Sequence, residues 1–161
     1  LLNTEAPPVD NVNVRRALSL AIDRDLLTRT VMQSVVTPAY SITPPGTLGY
    51  QPPKLFDFDP VEARVLLAEA GYPNGEGWPG IEIIYNTNEA HRKIAVAIQQ
   101  MWKKHLNIDV TLANQEWKVY LNSVSQRDFQ VARRGWIGDY VDPNNFLDLF
   151  ITGGGNNNTG F

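Results

Sequence analysis

The residues best suited to chemistry crowd into one stretch, Arg133-Arg134-Gly135-Trp136-Ile137-Gly138-Asp139-Tyr140-Val141-Asp142-Pro143. Asp139 can accept hydrogen bonds from an ammonium group, cap a turn or coordinate a metal. For an Asp in a glycine-bearing loop, the turn or cap is the plain alternative. Arg133 or Arg134 can grip a carboxylate in bidentate fashion, and otherwise reads as a solvated strand end. Trp136 offers a flat apolar wall, and Gly135 and Gly138 let main chain approach a ligand closely. Asp139 and Asp142 could serve as a paired carboxylate for glycoside chemistry, but a spacing of three on a loop sets no particular separation and nothing else supports that reading. No nucleophile-base pair, metal-ligand cluster or phosphate-binding loop appears, so an enzyme is not expected.

Outside this stretch the candidates are single residues. His91 opens a predicted helix just after a predicted strand, where a helix N-terminus favours neutral imidazole and nearby anions. A surface histidine is the plain alternative. His105 falls in Lys103-Lys104-His105, a cationic last turn that complements the helix dipole. Trp102 reads as core. Trp117, beside Glu116 after a strand, reads as either core or ligand wall.

Elements that could position these groups follow from periodicity. Val14, Ala17, Leu18, Ala21 and Ile22 recur at helical spacing. Asp23 or Asp25 can cap a short second helix through Leu26, Leu27 and Val31. Thr37 to Pro53 carries five prolines, which predicts a stiff, wrapping loop. Asp59, Pro60 and Glu62 are an N-cap signature for a helix with Ala63, Leu66, Leu67 and Ala70 inward, and Gly71 is a fitting stop. Then the pattern alternates: strand Ile81–Tyr85, helix Glu89–Leu106, strand Ile108–Leu112, helix Trp117–Val124, strand Phe129–Arg133. β-α-β-α-β implies parallel neighbours in one sheet. Ligand sites in such sheets lie beyond the carboxyl ends of the strands. Residues 86–88, 114–117 and 134–140 meet that description. Strict alternation would point Arg133 and Arg134 to opposite faces.

Composition narrows the classes. The chain has 161 residues, 43% hydrophobic, with 14 basic and 17 acidic side chains and net charge -3. The length suits about one domain. The net charge argues against a nucleic-acid surface. No apolar run approaches the roughly 20 residues of a membrane-spanning helix. With no cysteine, disulfides and thiolate chemistry are excluded. Residues 91–134 hold eight Lys/Arg against three acids, a local positive region that suits anionic groups. The Leu1 start and the Gly/Asn tail suggest a piece of a longer chain. Three parts are expected: 1–80 helical with the proline-rich loop, 81–135 βαβαβ, and 136–161 a ligand loop, a short helix and the tail.

Four stretches carry a resemblance to a known family, the oligopeptide-binding receptors of bacterial peptide ABC importers. They are Asn13 to Arg24; Thr37-Pro38-Ala39-Tyr40 with Thr43-Pro44-Pro45; Ala63 to Tyr72 with its Leu66-Leu67-Ala68-Glu69-Ala70-Gly71-Tyr72 ending; and Asn114-Gln115-Glu116-Trp117 together with Val131 to Tyr140. The resemblance implies an α/β fold, a partial lobe of the periplasmic-binding-protein type with a mixed sheet flanked by helices, on the carboxy-terminal side of a hinged trap. It implies non-catalytic oligopeptide binding without a cofactor or metal, and delivery to membrane permease subunits. The full-length receptor is expected to be monomeric and to bind no nucleic acid. The expected place is the periplasm, or the cell surface as a lipoprotein. By resemblance, Asp139 holds the peptide ammonium, Gly135 and Ile137 pair with its backbone, and Trp136 and Trp117 wall its side-chain pockets. Arg133 and His91 face its carboxylate. Val124 stands where some relatives carry a basic residue, and Ile137 is bulkier than the small residue often found there. A murein-peptide receptor of the same family, or the sensor domain of a transcription regulator, are the alternatives.

Overall fold

A computed structural model describes all residues, Leu1–Phe161. The elements run α1 (Val12–Leu20), α2 (Arg24–Thr30), α3 (Pro60–Glu69), β1 (Ile81–Asn86), α4 (Glu89–Leu106), β2 (Val110–Gln115), α5 (Trp117–Ser125), β3 (Val131–Ala132) and α6 (Asn144–Leu147). Short 3-10 turns occupy Pro73–Gly75 and Asp148–Phe150.

The three strands form a parallel sheet in the order β2-β1-β3. Leu1–Leu2 adds an antiparallel edge: Ala132 N–H donates to the Leu1 carbonyl at 3.0 Å, and Leu2 bridges Val131. The named strands are thus all parallel, flanked by helices, and this isolated bridge is an antiparallel contact at the edge. β1 sits centrally and is apolar on both faces, as a parallel strand covered from two sides must be. Ile81, Ile83 and Tyr85 join the main core with α1, α3 and α4. Ile84 points the other way, into a smaller core with Tyr120, Val124, Phe129 and Ala132 beneath α5.

Helix ends follow their side chains. Asp23 Oδ1 accepts from Leu26 N–H at 2.8 Å, and Asp59 Oδ1 accepts from Glu62 N–H at 2.9 Å. Each satisfies a first-turn donor that has no partner within its own helix. At the other end of α1 the last carbonyls knit three elements together. Leu18 O accepts from the Trp102 indole at 2.8 Å, Ser19 O from Arg24 Nη1 at 3.1 Å, and Leu20 O from Asp59 N–H at 3.0 Å. Gly71 follows α3 with φ +97°, the left-handed stop its position predicts. At Gly75, φ is +78° and a Cβ would lie 2.4 Å from the Asn107 carbonyl oxygen, so only glycine fits.

The proline-rich segment has no regular element between α2 and α3. It is fastened at Tyr40, whose hydroxyl donates to Asp25 Oδ2 at 2.5 Å and whose ring lies under Lys54 Nζ, 4.4 Å from its centroid.

Two strand assignments differ from expectation. β2 begins at Val110, because Ile108 packs into the main core from the short connection after α4 rather than from a ladder. β3 is only Val131–Ala132, since just two residues pair with β1. Phe129 is core, not strand. The short β3 also leaves both arginines beyond the ladder. The ladder ends at Ala132, and Arg133 and Arg134 each border both the recess and the cavity on the other face.

Candidate functional site at the carboxyl edge of the sheet

Parallel strands bring their carboxyl ends to one edge, and three connections meet there. The β1–α4 connection is tied to the end of β2. Thr87 N–H donates to the Gln115 carbonyl at 2.9 Å, and the Thr87 hydroxyl donates to Asn114 Oδ1 at 2.9 Å. Asn88 caps α4 by accepting from Ala90 and His91 N–H. Glu116 caps α5 by accepting from Lys118 N–H at 2.8 Å. Beyond β3, residues 133–140 leave the sheet without regular structure.

A recess of about 180 Å³ opens at this edge. Four of the expected site residues border it: Trp117, Arg133, Gly135 and Trp136. Tyr120, Leu121 and Val124 of α5 form its apolar wall. Trp117 is 53% exposed and stacks on Tyr120, with centroids 5.9 Å apart at 22°. It is thus a wall rather than core, whereas Trp102 is core. Trp136 is half-buried, its indole N–H donating to Asn145 Oδ1 at 2.7 Å. A larger apolar cavity of about 310 Å³, lined by residues such as Leu18, Ile98 and Trp102, lies on the opposite face of the sheet. Arg24, Arg133 and Arg134 stand at its border, so the two arginines after β3 adjoin both spaces.

The two arginines differ in engagement. Arg134 donates to Asn158 Oδ1 at 2.8 Å. Arg133 is half-buried, has no carboxylate partner, and folds back over Gly135, where a Cβ would lie 3.6 Å from its Nη1. Burial lowers its pKa, yet a guanidinium stays charged at neutral pH. The site therefore holds one uncommitted cation.

His91 faces that cation. Burial of its ring and, second, the Arg133 charge hold its pKa below the ordinary 6.5, with an opposing pull from the Asn86 backbone. Nδ1 is buried and makes no well-formed hydrogen bond. The unfolded chain takes up a proton near pH 6.5 that the folded chain resists. This group's contribution to stability is thus complete above that value and declines as pH falls below it. By NMR titration the His91 midpoint is expected below 6.5, and Arg133→Gln is expected to raise it. An unmoved midpoint in that variant would separate the two groups.

Asp139 and Ile137 lie outside the recess, on the continuing loop. Ile137 is 90% exposed. The Asp139 carboxylate is exposed and has no ion pair. No main-chain N–H or C=O of residues 134–139 is hydrogen-bonded within the protein. Sequence reasoning missed Tyr120, Asn145 and Asn158, which fasten the loop. Tyr120 reads as one more apolar helical position, and Asn145 and Asn158 lie in a turn-forming context that announces no partner.

A parallel sheet with a free run of main chain at its carboxyl edge, walled by tryptophans and bearing unpaired charges of both signs, is the arrangement of a solute-binding lobe. The profile of the bacterial extracellular solute-binding proteins, family 5 (Middle), matches residues 1–158, and the chain belongs to that family. It is 42% identical over 167 residues to the oligopeptide-binding protein OppA of Bacillus subtilis (strain 168), covering 99% of this chain and 31% of that protein. A periplasmic oligopeptide-binding protein of Borrelia burgdorferi superposes with a TM-score of 0.91 at 45% identity, covering 98% of this chain and 31% of that one. The Escherichia coli murein tripeptide binding protein MppA superposes with a TM-score of 0.92 at 40% identity, covering 99% and 32%. The chain thus spans about a third of the length of these relatives.

Proposed function

We propose that this chain is part of one lobe of a receptor that binds oligopeptides outside the cytoplasmic membrane, in the periplasm or on the cell surface as a lipoprotein, and presents them to the permease subunits of an ABC transporter. It performs no chemistry on them. One observation carries the reading: the main chain of residues 134–139 has no partner in the protein, between a free cation at Arg133 and a free anion at Asp139. A receptor indifferent to sequence must draw affinity from what all peptides share, a backbone and two charged ends. An extended ligand laid along 134–139 can pair as an added strand, with Gly135 and Ile137 as partners. Asp139 then meets the ammonium, and Arg133 with His91 faces the carboxylate. Trp136 and Trp117 bound pockets that can keep water and so tolerate many side chains. The closeness of the fold to the murein tripeptide receptor supports a second reading, a murein-derived peptide as cargo, which uses the same termini and backbone.

The test is calorimetry on the full-length receptor with one peptide and its singly N-methylated analogues. Methylation at amides that pair with the loop is expected to weaken binding about tenfold each, a hydrogen bond lost plus a steric clash. Equal affinity for every analogue would remove strand addition from the account.

A further inference from the structure

The loop leaves the sheet at a sharply defined boundary. Arg133 N–H donates to the Ile84 carbonyl at 2.9 Å, and the Arg133 carbonyl accepts from the Tyr120 hydroxyl. Both polar groups of that residue are held, from β1 and from α5. All main-chain groups of the next six residues are free. Tyr120 is therefore the last protein group to grip the backbone before the run that a ligand would pair with.

We propose that Tyr120 is a positioning residue for peptide binding: its hydroxyl fixes the direction in which residues 134–139 leave β3, and so their register with an incoming strand. The inference rests on the strand-addition reading above. Tyr120 is built to be immobile. Its ring is 4% exposed, packs with Ile84, Val124 and Phe129, and stacks on Trp117. Burial pushes the phenol above its ordinary pKa, so the hydroxyl stays protonated and donates throughout the neutral range. The hydroxyl reaches the Arg133 carbonyl from a frame that does not move with the loop. Side-chain tethers to Asn158 and Asn145 hold Arg134 and Trp136, but neither restrains a main-chain group. Without the hydroxyl, only those side-chain tethers would oppose rotation about the bonds at Arg133. A ligand would then have to order that run on binding, which costs affinity without removing any direct contact.

The variant is Tyr120→Phe in the full-length receptor, with Asp139→Asn beside it. Tyr120→Phe keeps the ring and its packing. Its peptide affinity is expected to fall about tenfold, and the penalty for N-methylating the ligand is expected to shrink at least twofold, because register is no longer enforced. Asn145→Ala, acting through a different element, is expected to reduce the affinity in the same direction. A merely structural role for Tyr120 would lower the melting temperature and leave the methylation penalty as it is. Affinity within twofold of wild type, or a loss with that penalty unchanged, overturns the proposal. If Asp139→Asn still weakens binding in that case, the peptide-receptor reading survives alone. If no variant and no methylation matters, both fall together.

Discussion

Replacing Asp139 by alanine in the full-length receptor is expected to weaken peptide binding by about two orders of magnitude, roughly 3 kcal/mol. The reason lies in what happens to the ligand's ammonium when the cleft closes. In this chain the Asp139 carboxylate is exposed and unpaired, so it meets no competitor inside the protein. On the proposed function, a peptide trapped between lobes has its ammonium removed from water. A desolvated charge without a counter-charge costs several kcal/mol, far more than an exposed pair returns. The loss should thus be that of a stranded cation rather than of a surface salt bridge. Two consequences separate these cases by calorimetry. For wild type, acetylating the peptide amino terminus should cost about as much as removing the carboxylate. For Asp139→Ala, acetylation should cost little more, since the charge has already lost its partner. An affinity unchanged in the variant, or acetylation costs that simply add, would place the ammonium elsewhere.

The elements around this carboxylate were legible in the sequence to different degrees, for physical reasons. α3 and α4 were readable because each signal is local. Asp59-Pro60 fixes one start, and eighteen residues of helical periodicity define α4 between Asn88 and Asn107. β3 is shorter than its sequence implies because strand extent depends on pairing, and only Val131 and Ala132 pair with β1, opposite Ile83 and Ile84. Trp102 and Trp117 illustrate the limit for the site. Both sit on amphipathic helices next to polar residues, and only the packed structure puts one in the core and the other at the recess. The loop motif of Gly135, Trp136 and Asp139 was visible as composition. What composition could not reveal is that its backbone is left unpaired, because an absent hydrogen bond has no residue type. Tyr120, Asn145 and Asn158 stayed hidden for the converse reason, since each acts on a residue in another segment, 9 to 24 positions away, that no spacing rule connects to it.

Trp102→Ala is expected to destabilise the lobe by about 4 kcal/mol or more, enough to unfold it if its total stability is near the lower end of the usual ~5–15 kcal/mol. Two costs combine. Trp102 is 2% exposed at the centre of the main core, so truncation leaves a cavity between α4, α1 and the sheet, worth about 3–5 kcal/mol by itself. The indole N–H also satisfies Leu18 O, a last-turn carbonyl of α1 with no partner inside its own helix. Left buried and unpaired, that oxygen costs a further ~1–3 kcal/mol unless water reaches it. Trp102→Phe separates the two, because it retains most of the ring but removes the donor; it is expected to cost about 1–3 kcal/mol. Guanidinium unfolding of the full-length variants, followed by fluorescence, reads both losses. A Trp102→Ala cost no larger than that of Trp102→Phe would mean that the core collapses around the truncated site. The effect bears on function through geometry. Trp102 clamps the carboxyl half of α4 to α1, and the amino end of that same helix carries His91 at the carboxyl edge of the sheet. A helix released at one end no longer holds the other in register with β1, so peptide affinity should fall with stability in the alanine variant.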